Sequence, residues 1–175
     1  MCRLRKCKAP PKSFKKQFDE TYVDITRFKH KTQITVRNYE IDWQGIVHNA
    51  VYLYYFEIGR LAYLEQIGVR LDLNSVKHDT KVVVARNEID YRSAARFGEV
   101  LDVYTRVSFM RNTSFAFEGI LEEATTKRRI AENLSIHVWL DDQTNKPTSV
   151  GKEFRSRVQQ FEGKNVLVTN PTLLV

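Results

Sequence analysis

The stretch Asn38-Tyr39-Glu40-Ile41-Asp42-Trp43-Gln44-Gly45-Ile46-Val47-His48-Asn49-Ala50-Val51-Tyr52-Leu53-Tyr54-Tyr55-Phe56-Glu57-Ile58-Gly59-Arg60 decides how the chain is read. It opens as the end of a strand, passes through a loop containing Gly45, and enters a long apolar run without proline. One carboxylate, Asp42, stands in the loop, and a polar pair, His48-Asn49, stands where a helix would begin. The pattern predicts a helix over 49–67, about 28 Å long, with Gly68 as its C-terminal cap. At 100° per residue, Ala50, Leu53, Leu61 and Leu64 fall on one flank and Val51, Tyr55, Ile58 and Ala62 on another. A helix apolar on every side is expected to be buried. Gly59 in its middle costs about 1 kcal/mol relative to alanine, so a neighbour is expected to approach closely there.

Working outward, residues 32–40 alternate through Ile34 and Val36 as a strand does, and then the apolar phase slips to Tyr39 and Ile41, which predicts a bulge. Strands are expected over 81–91, 99–109, 113–122 and 129–140. The second of these puts Leu101, Val103, Thr105, Val107 and Phe109 on one face, and the third Phe115, Phe117 and Leu121. The last puts Ile130, Leu134, Ile136, Val138 and Leu140 on one face and Asn133, Ser135, His137 and Trp139 on the other, where His137 reads as a packing or interface residue. Short polar connections join them, which makes an antiparallel meander. Val150, Phe154, Val158 and Phe161 recur at helical spacing before Gly163, predicting a short amphipathic helix over 149–161. The expected class is α+β: a curved five-stranded antiparallel sheet wrapped around one long central helix.

A chain of 175 residues with 42 % apolar and 28 % charged residues suits one globular domain. It has no run of about 18 apolar residues, so no membrane span is expected, and the first thirty residues hold no apolar core of a secretory signal. The net charge of +7 is local: Arg3, Arg5, Lys6, Lys8, Lys12, Lys15 and Lys16 precede the first acid, and the other 21 basic residues equal the 21 acidic ones. The basicity belongs to an extension, and no nucleic-acid partner is inferred from it. Both cysteines, Cys2 and Cys7, lie in that extension, so neither a disulfide framework nor a metal cluster is indicated, in keeping with a reducing cytoplasm. The organisation expected is a basic extension over 1–30, a body over 31–162 and a tail over 163–175.

Gly-x-Ser-x-Gly, Gly-x-Gly-x-x-Gly and phosphate-loop motifs are absent, and His30, His48, His78 and His137 have no metal-ligand spacing. What remains is Asp42 followed by a helix start. Alone, a loop aspartate is more often a turn-former or cap. Together the two are complementary: first-turn N–H groups with a partial charge of about +0.5 can hold an oxyanion, and a carboxylate ionised at neutral pH can act as base or nucleophile. A thioester suits so sparse a kit, because its thiol leaving group has a pKa of about 8.5 and departs without strong protonation. An amide would need a general acid as well.

The segment Asp42 to Arg60 resembles the signature of the 4-hydroxybenzoyl-CoA thioesterase-like family of hotdog-fold proteins: Asp-x-x-Gly, two mostly apolar residues, a polar pair, Tyr52, then Phe56-Glu57-x-x-Arg60. More loosely, the likeness runs from about 31 to 162. It implies the hotdog fold, a homodimer or homotetramer, and an acyl-CoA thioesterase with no metal and no cofactor, coenzyme A being part of the substrate. It implies that Asp42 attacks the thioester or activates water, that the Asn49 backbone N–H polarises the carbonyl, and that Gly45 permits the loop. Asn49 departs from the many relatives with histidine there, so His48 receives no catalytic role and is expected to make a helix-start hydrogen bond beside the substrate; Tyr52 is grouped with it. Glu57 is expected on a buried flank, either paired with Arg60 or reaching the site as a second carboxylate. Arg92 and Arg111 are the expected partners of coenzyme A phosphates. An acyl carrier protein as substrate carrier, a non-catalytic acyl-CoA-binding module, a dehydratase, and a tail-mediated RNA or membrane function are the competing readings.

Overall fold

The computed structural model describes residues 23–69 and 80–169. The basic residues of 1–18, both cysteines and His78 lie outside them.

The alternating segments form one sheet because each has a face that must leave water. Its strands are β1 (His30–Thr35), β2 (Thr80–Tyr91), β3 (Val100–Met110), β4 (Ser114–Glu123), β5 (Arg129–Asp141) and β6 (Leu167–Val168). The order is β1-β3-β4-β5-β2, all antiparallel, with the short β6 added in parallel to β3. The expected meander is β3-β4-β5. The helices are α1 (Val51–Gln66) and α2 (Lys152–Glu162). The α+β class stands, and α2 is the short helix expected over 149–161, but among the described residues the sheet has a sixth strand and α1 is shorter than 49–67.

α1 lies on the inner face of the sheet against β1, β3 and β4. Gly59 explains how closely: a Cβ there would sit 2.6 Å from both Val103 Cγ1 and Thr105 Oγ1 of β3. Phe56 covers Gly119 of β4, and Tyr63 meets Phe117 edge-on at 5.7 Å between ring centroids. The interior has two packed centres. One gathers Val36, Val47, Tyr52, Tyr55, Phe56, Ala95 and Leu101 at the N-terminal end of α1. The other gathers Tyr63, Met110, Phe115, Phe117, Phe154 and Val158 where α2 packs.

Four expectations are corrected. The strand before Asp42 ends at Thr35 and no bulge follows; a 3-10 turn over Asn38–Glu40 produces the phase slip. α1 is not buried all round: Leu53, Tyr54 and Leu61 are exposed, and so is Glu57. Phe109 does not share the inner face of β3, because the register shifts between Val107 and Phe109 and seats Met110 there instead. In β5 the apolar set Leu134, Ile136 and Val138 faces away from α1; the residues across from Gly119, Phe117 and Phe115 on the inner face are Asn133, Ser135 and His137.

Glu162 at the end of α2 is fully buried. The Val107 N–H donates to its Oε1 at 3.1 Å, while its Oε2 and the nearby Tyr63 hydroxyl make no hydrogen bond of normal geometry. Burial raises its pKa above the ordinary carboxylate value. A raised native pKa means that the residue's contribution to stability is present below the unfolded pKa and lost as pH rises through the native one. Glu162→Gln is therefore expected to be more stable than the wild type at about pH 8 and no more stable at about pH 4, which thermal unfolding at the two values measures.

Candidate active site

Between β1 and α1 the chain folds back on itself. The buried Glu40 fixes the entry: its Oε2 accepts from the Arg37 N–H at 2.7 Å and from the Tyr55 hydroxyl at 2.8 Å. Burial, then the Glu40 carboxylate, push the Tyr55 pKa up, so its hydroxyl stays protonated and donating. Ile41 bridges to Val47, the Asp42 N–H donates to the Ile46 carbonyl at 2.8 Å, and the His48 N–H donates to the Glu40 carbonyl at 2.9 Å. These contacts make a narrow hairpin whose tip is Asp42 to Gly45. The Gly45 N–H closes it onto the Asp42 carbonyl at 3.0 Å, and the φ of Gly45 is +76°, where a side chain would be strained. Asp42 Oδ1 accepts from the Gln44 N–H at 2.8 Å. The carboxylate is thereby held at the tip while its second oxygen makes no bond within the described residues.

The hairpin delivers the chain to α1. His48 Nδ1 accepts from the Ala50 N–H at 3.2 Å and its carbonyl from the Val51 N–H at 2.9 Å. The Asn49 N–H, between them, has no hydrogen-bond partner among the described residues. It stands at the positive end of the α1 dipole. Two contacts hold this corner to the sheet. The Val47 N–H donates to the Ala95 carbonyl at 2.9 Å, and the Tyr91 hydroxyl donates to the Asn49 carbonyl at 3.0 Å. Tyr52 packs edge-on to Tyr91 at 5.2 Å and its hydroxyl accepts from the Ala95 N–H at 3.2 Å. Burial raises the Tyr52 pKa.

Asp42, Gly45, His48 and Asn49 thus share one hairpin, with Tyr52 on the first turn beside them. Glu57 is not with them. It lies solvated on the outward side of α1, and among the described residues no ion pair joins it to Arg60, because the flank expected to be buried is open. Arg92 follows Tyr91 and so reaches this end of the sheet, where Glu132 at 2.9 Å and Asp90 at 3.7 Å engage its guanidinium. Arg111 lies at the opposite end of β3, about 35 Å along the strand, and one protomer does not bring it to Asp42. Tyr91 and Glu40 are two positioning residues that the sequence reading passes over, Glu40 because nothing in the sequence shows that it turns inward. Tyr91 carried a signal, since it follows Ile89 in the two-residue period of β2.

Residues 36–158 match the sequence profile of the thioesterase-like superfamily. A chloroplastic acyl-acyl carrier protein thioesterase of Arabidopsis thaliana, ATL3, is 29 % identical over 132 residues, 75 % of this chain and 68 % of that protein. The long-chain acyl-CoA thioesterase FadM of Escherichia coli is 26 % identical over 75 % of this chain and 98 % of its own length. Among solved structures, a Thermus thermophilus thioesterase in complex with coenzyme A and zinc superposes with a TM-score of 0.67 and 29 % identity, over 78 % of this chain and 96 % of that one. With the profile spanning the hairpin, both packed centres and most of the sheet, the chain belongs to the thioesterase-like superfamily.

Proposed function

We infer that the protein hydrolyses acyl-CoA thioesters to the free acid and coenzyme A. The observation that carries this is the pairing, in one hairpin, of the Asp42 carboxylate with the unbonded Asn49 N–H at the start of α1. The N–H donates to the thioester oxygen as it becomes an oxyanion, an interaction worth about 2.7–4 kcal/mol in comparable sites. Asp42 either takes a proton from the attacking water, or adds to the carbonyl carbon to give an anhydride that water then cleaves to the free acid and the regenerated carboxylate; in both routes the C–S bond breaks and releases the thiolate. Release of thiol from a panel of saturated acyl-CoAs tests the reading; no turnover at any chain length overturns it. The likeness to the Arabidopsis protein favours, as a second reading, an acyl carrier protein in place of coenzyme A; the same assay with acylated carrier protein decides between them.

The active form in this reading is a dimer built on β2. That strand is one edge of the sheet, paired on one side only among the described residues, and Val82, Val83 and Val84 are 43, 38 and 48 % exposed. Long apolar edges invite pairing with another strand. Across such an interface the outward Glu57 is offered to the second protomer, not to its own Asp42. Val83→Lys is expected to convert the dimer to monomer in light scattering; a monomeric wild type refutes this arrangement.

A further inference from the structure

The hairpin that carries Asp42 has a fixed register. The Asp42 N–H donates to the Ile46 carbonyl at 2.8 Å and the His48 N–H to the Glu40 carbonyl at 2.9 Å, which makes Ile41–Val47 the close, non-hydrogen-bonded pair between them. Val47 is buried and Ile41 packs on the same core, so this pair faces inward. Side chains alternate along each arm, and Asp42, Ile46 and His48 therefore belong to the opposite face. Asp42 stands across from Ile46, and His48 is two residues further along that arm. Such diagonal neighbours lie about 7–8 Å apart, within reach of long or aromatic side chains. His48 is exposed and Asp42 partly so, as residues on the outer face of a hairpin are.

The ring of His48 is fixed as well. Its Nδ1 accepts from the Ala50 N–H at 3.2 Å, which requires a lone pair on that nitrogen and puts the ring proton on Nε2. The far nitrogen is then a hydrogen-bond donor, and it has no partner among the described residues. Neither has Asp42 Oδ2, since the turn engages only Oδ1. A donor and an anionic acceptor on one face, a diagonal apart and not bonded to each other, can share one water that accepts from the imidazole and donates to the carboxylate. The electrophile belongs beside them. Of the N–H groups from Val47 to Val51, those of Val47, His48, Ala50 and Val51 are already bonded, and only that of Asn49 is left for the thioester oxygen.

We propose that His48 is a catalytic residue whose Nε2–H holds the attacking water against Asp42. This rests on the thioesterase reading and selects, of the two roles open to Asp42, that of general base. The water oxygen bonds to the carbonyl carbon as its proton passes to Asp42 Oδ2, and the thioester oxygen collects the negative charge at the Asn49 N–H. His48 gives up no proton. It donates to the water oxygen and fixes its line of approach, a placement whose loss costs about 10²-fold. The C–S bond then breaks, the free acid leaves, and the proton on Asp42 passes to the departing thiolate.

Two substitutions divide the imidazole between them. Serine keeps an acceptor for the Ala50 N–H two residues on and has no far donor; glutamine carries an amide nitrogen where Nε2 stands and gives up the near acceptor. His48→Ser is expected to unfold at the wild-type temperature while kcat for thiol release from one good acyl-CoA falls about 10–10²-fold with KM little changed. His48→Gln is expected to unfold at a lower temperature, having lost the cap, and to keep most of the wild-type kcat. A His48→Ser with wild-type kcat overturns the proposal and leaves His48 as a helix cap. So does a pair of variants whose kcat follows their unfolding temperature. A single turnover in water labelled with heavy oxygen, with enzyme in excess, reads the route by mass: label is expected in the released acid and none in the protein, and label in Asp42 overturns the direct attack of water. Absence of thiol release by the wild type from every acyl-CoA refutes hydrolysis itself, a different result from a His48→Ser that turns over like the wild type.

Discussion

Asp42→Asn is expected to lower kcat for thiol release by about 10²–10⁴-fold, the range for a positioned acid–base group, and to leave the unfolding temperature where it was. Asparagine keeps the oxygen that accepts from the Gln44 N–H, so the turn survives. What it loses is the negative charge that can attack the carbonyl or deprotonate water. Asp42→Ala would confound the two by removing the turn bond as well, which is why the amide is the informative replacement. Steady-state kinetics on one good acyl-CoA, beside a thermal melt, measure both halves of the expectation. Unchanged turnover with an unchanged melt would take Asp42 out of the chemistry and leave it as a turn residue.

Gly59→Ala is expected to destabilise the fold although alanine is the better helix former. Propensity favours the substitution by about 1 kcal/mol. Against it, the new methyl would stand 2.6 Å from Val103 Cγ1 and Thr105 Oγ1, both short side chains rooted in the centre of β3. Neither can swing aside, so the helix must lift from the sheet, and overpacking of this kind costs about 1–3 kcal/mol. The net is a loss of up to about 2 kcal/mol, and Gly59→Val, larger and without the propensity gain, is expected to prevent folding. Equilibrium urea unfolding reads the difference. A more stable alanine variant would mean that α1 does not sit on β3 so closely.

Much of this architecture was legible in the chain. The three meander strands and α2 could be placed because turn residues and period changes mark their limits. The closeness at Gly59 could be read because a mid-helix glycine needs a reason. The face assignments failed where periodicity is blind. A single extra residue at Ser108 exchanges Phe109 for Met110, and nothing in the apolar count announces it. In β5 the more apolar face points away from α1, because alternation gives two faces without saying which one the helix takes. The outward side of α1 failed for a related reason: apolar residues all round a helix do not reveal whether the same chain covers every side. At the site, Asp42, Gly45, His48 and Asn49 are close in sequence, and a hairpin keeps them close in space. Arg111 depends on which hairpin tip meets the loop, which is long-range information, and Tyr91 comes to Asn49 only through sheet pairing.

With its interior divided between a centre around Tyr55 and another around Tyr63, the molecule carries two packing units instead of one. A substitution around Phe115 or Phe154 is felt first by α2 and the neighbouring strand ends, and strains the corner that holds Asp42 less than one at Tyr52 or Tyr55 does.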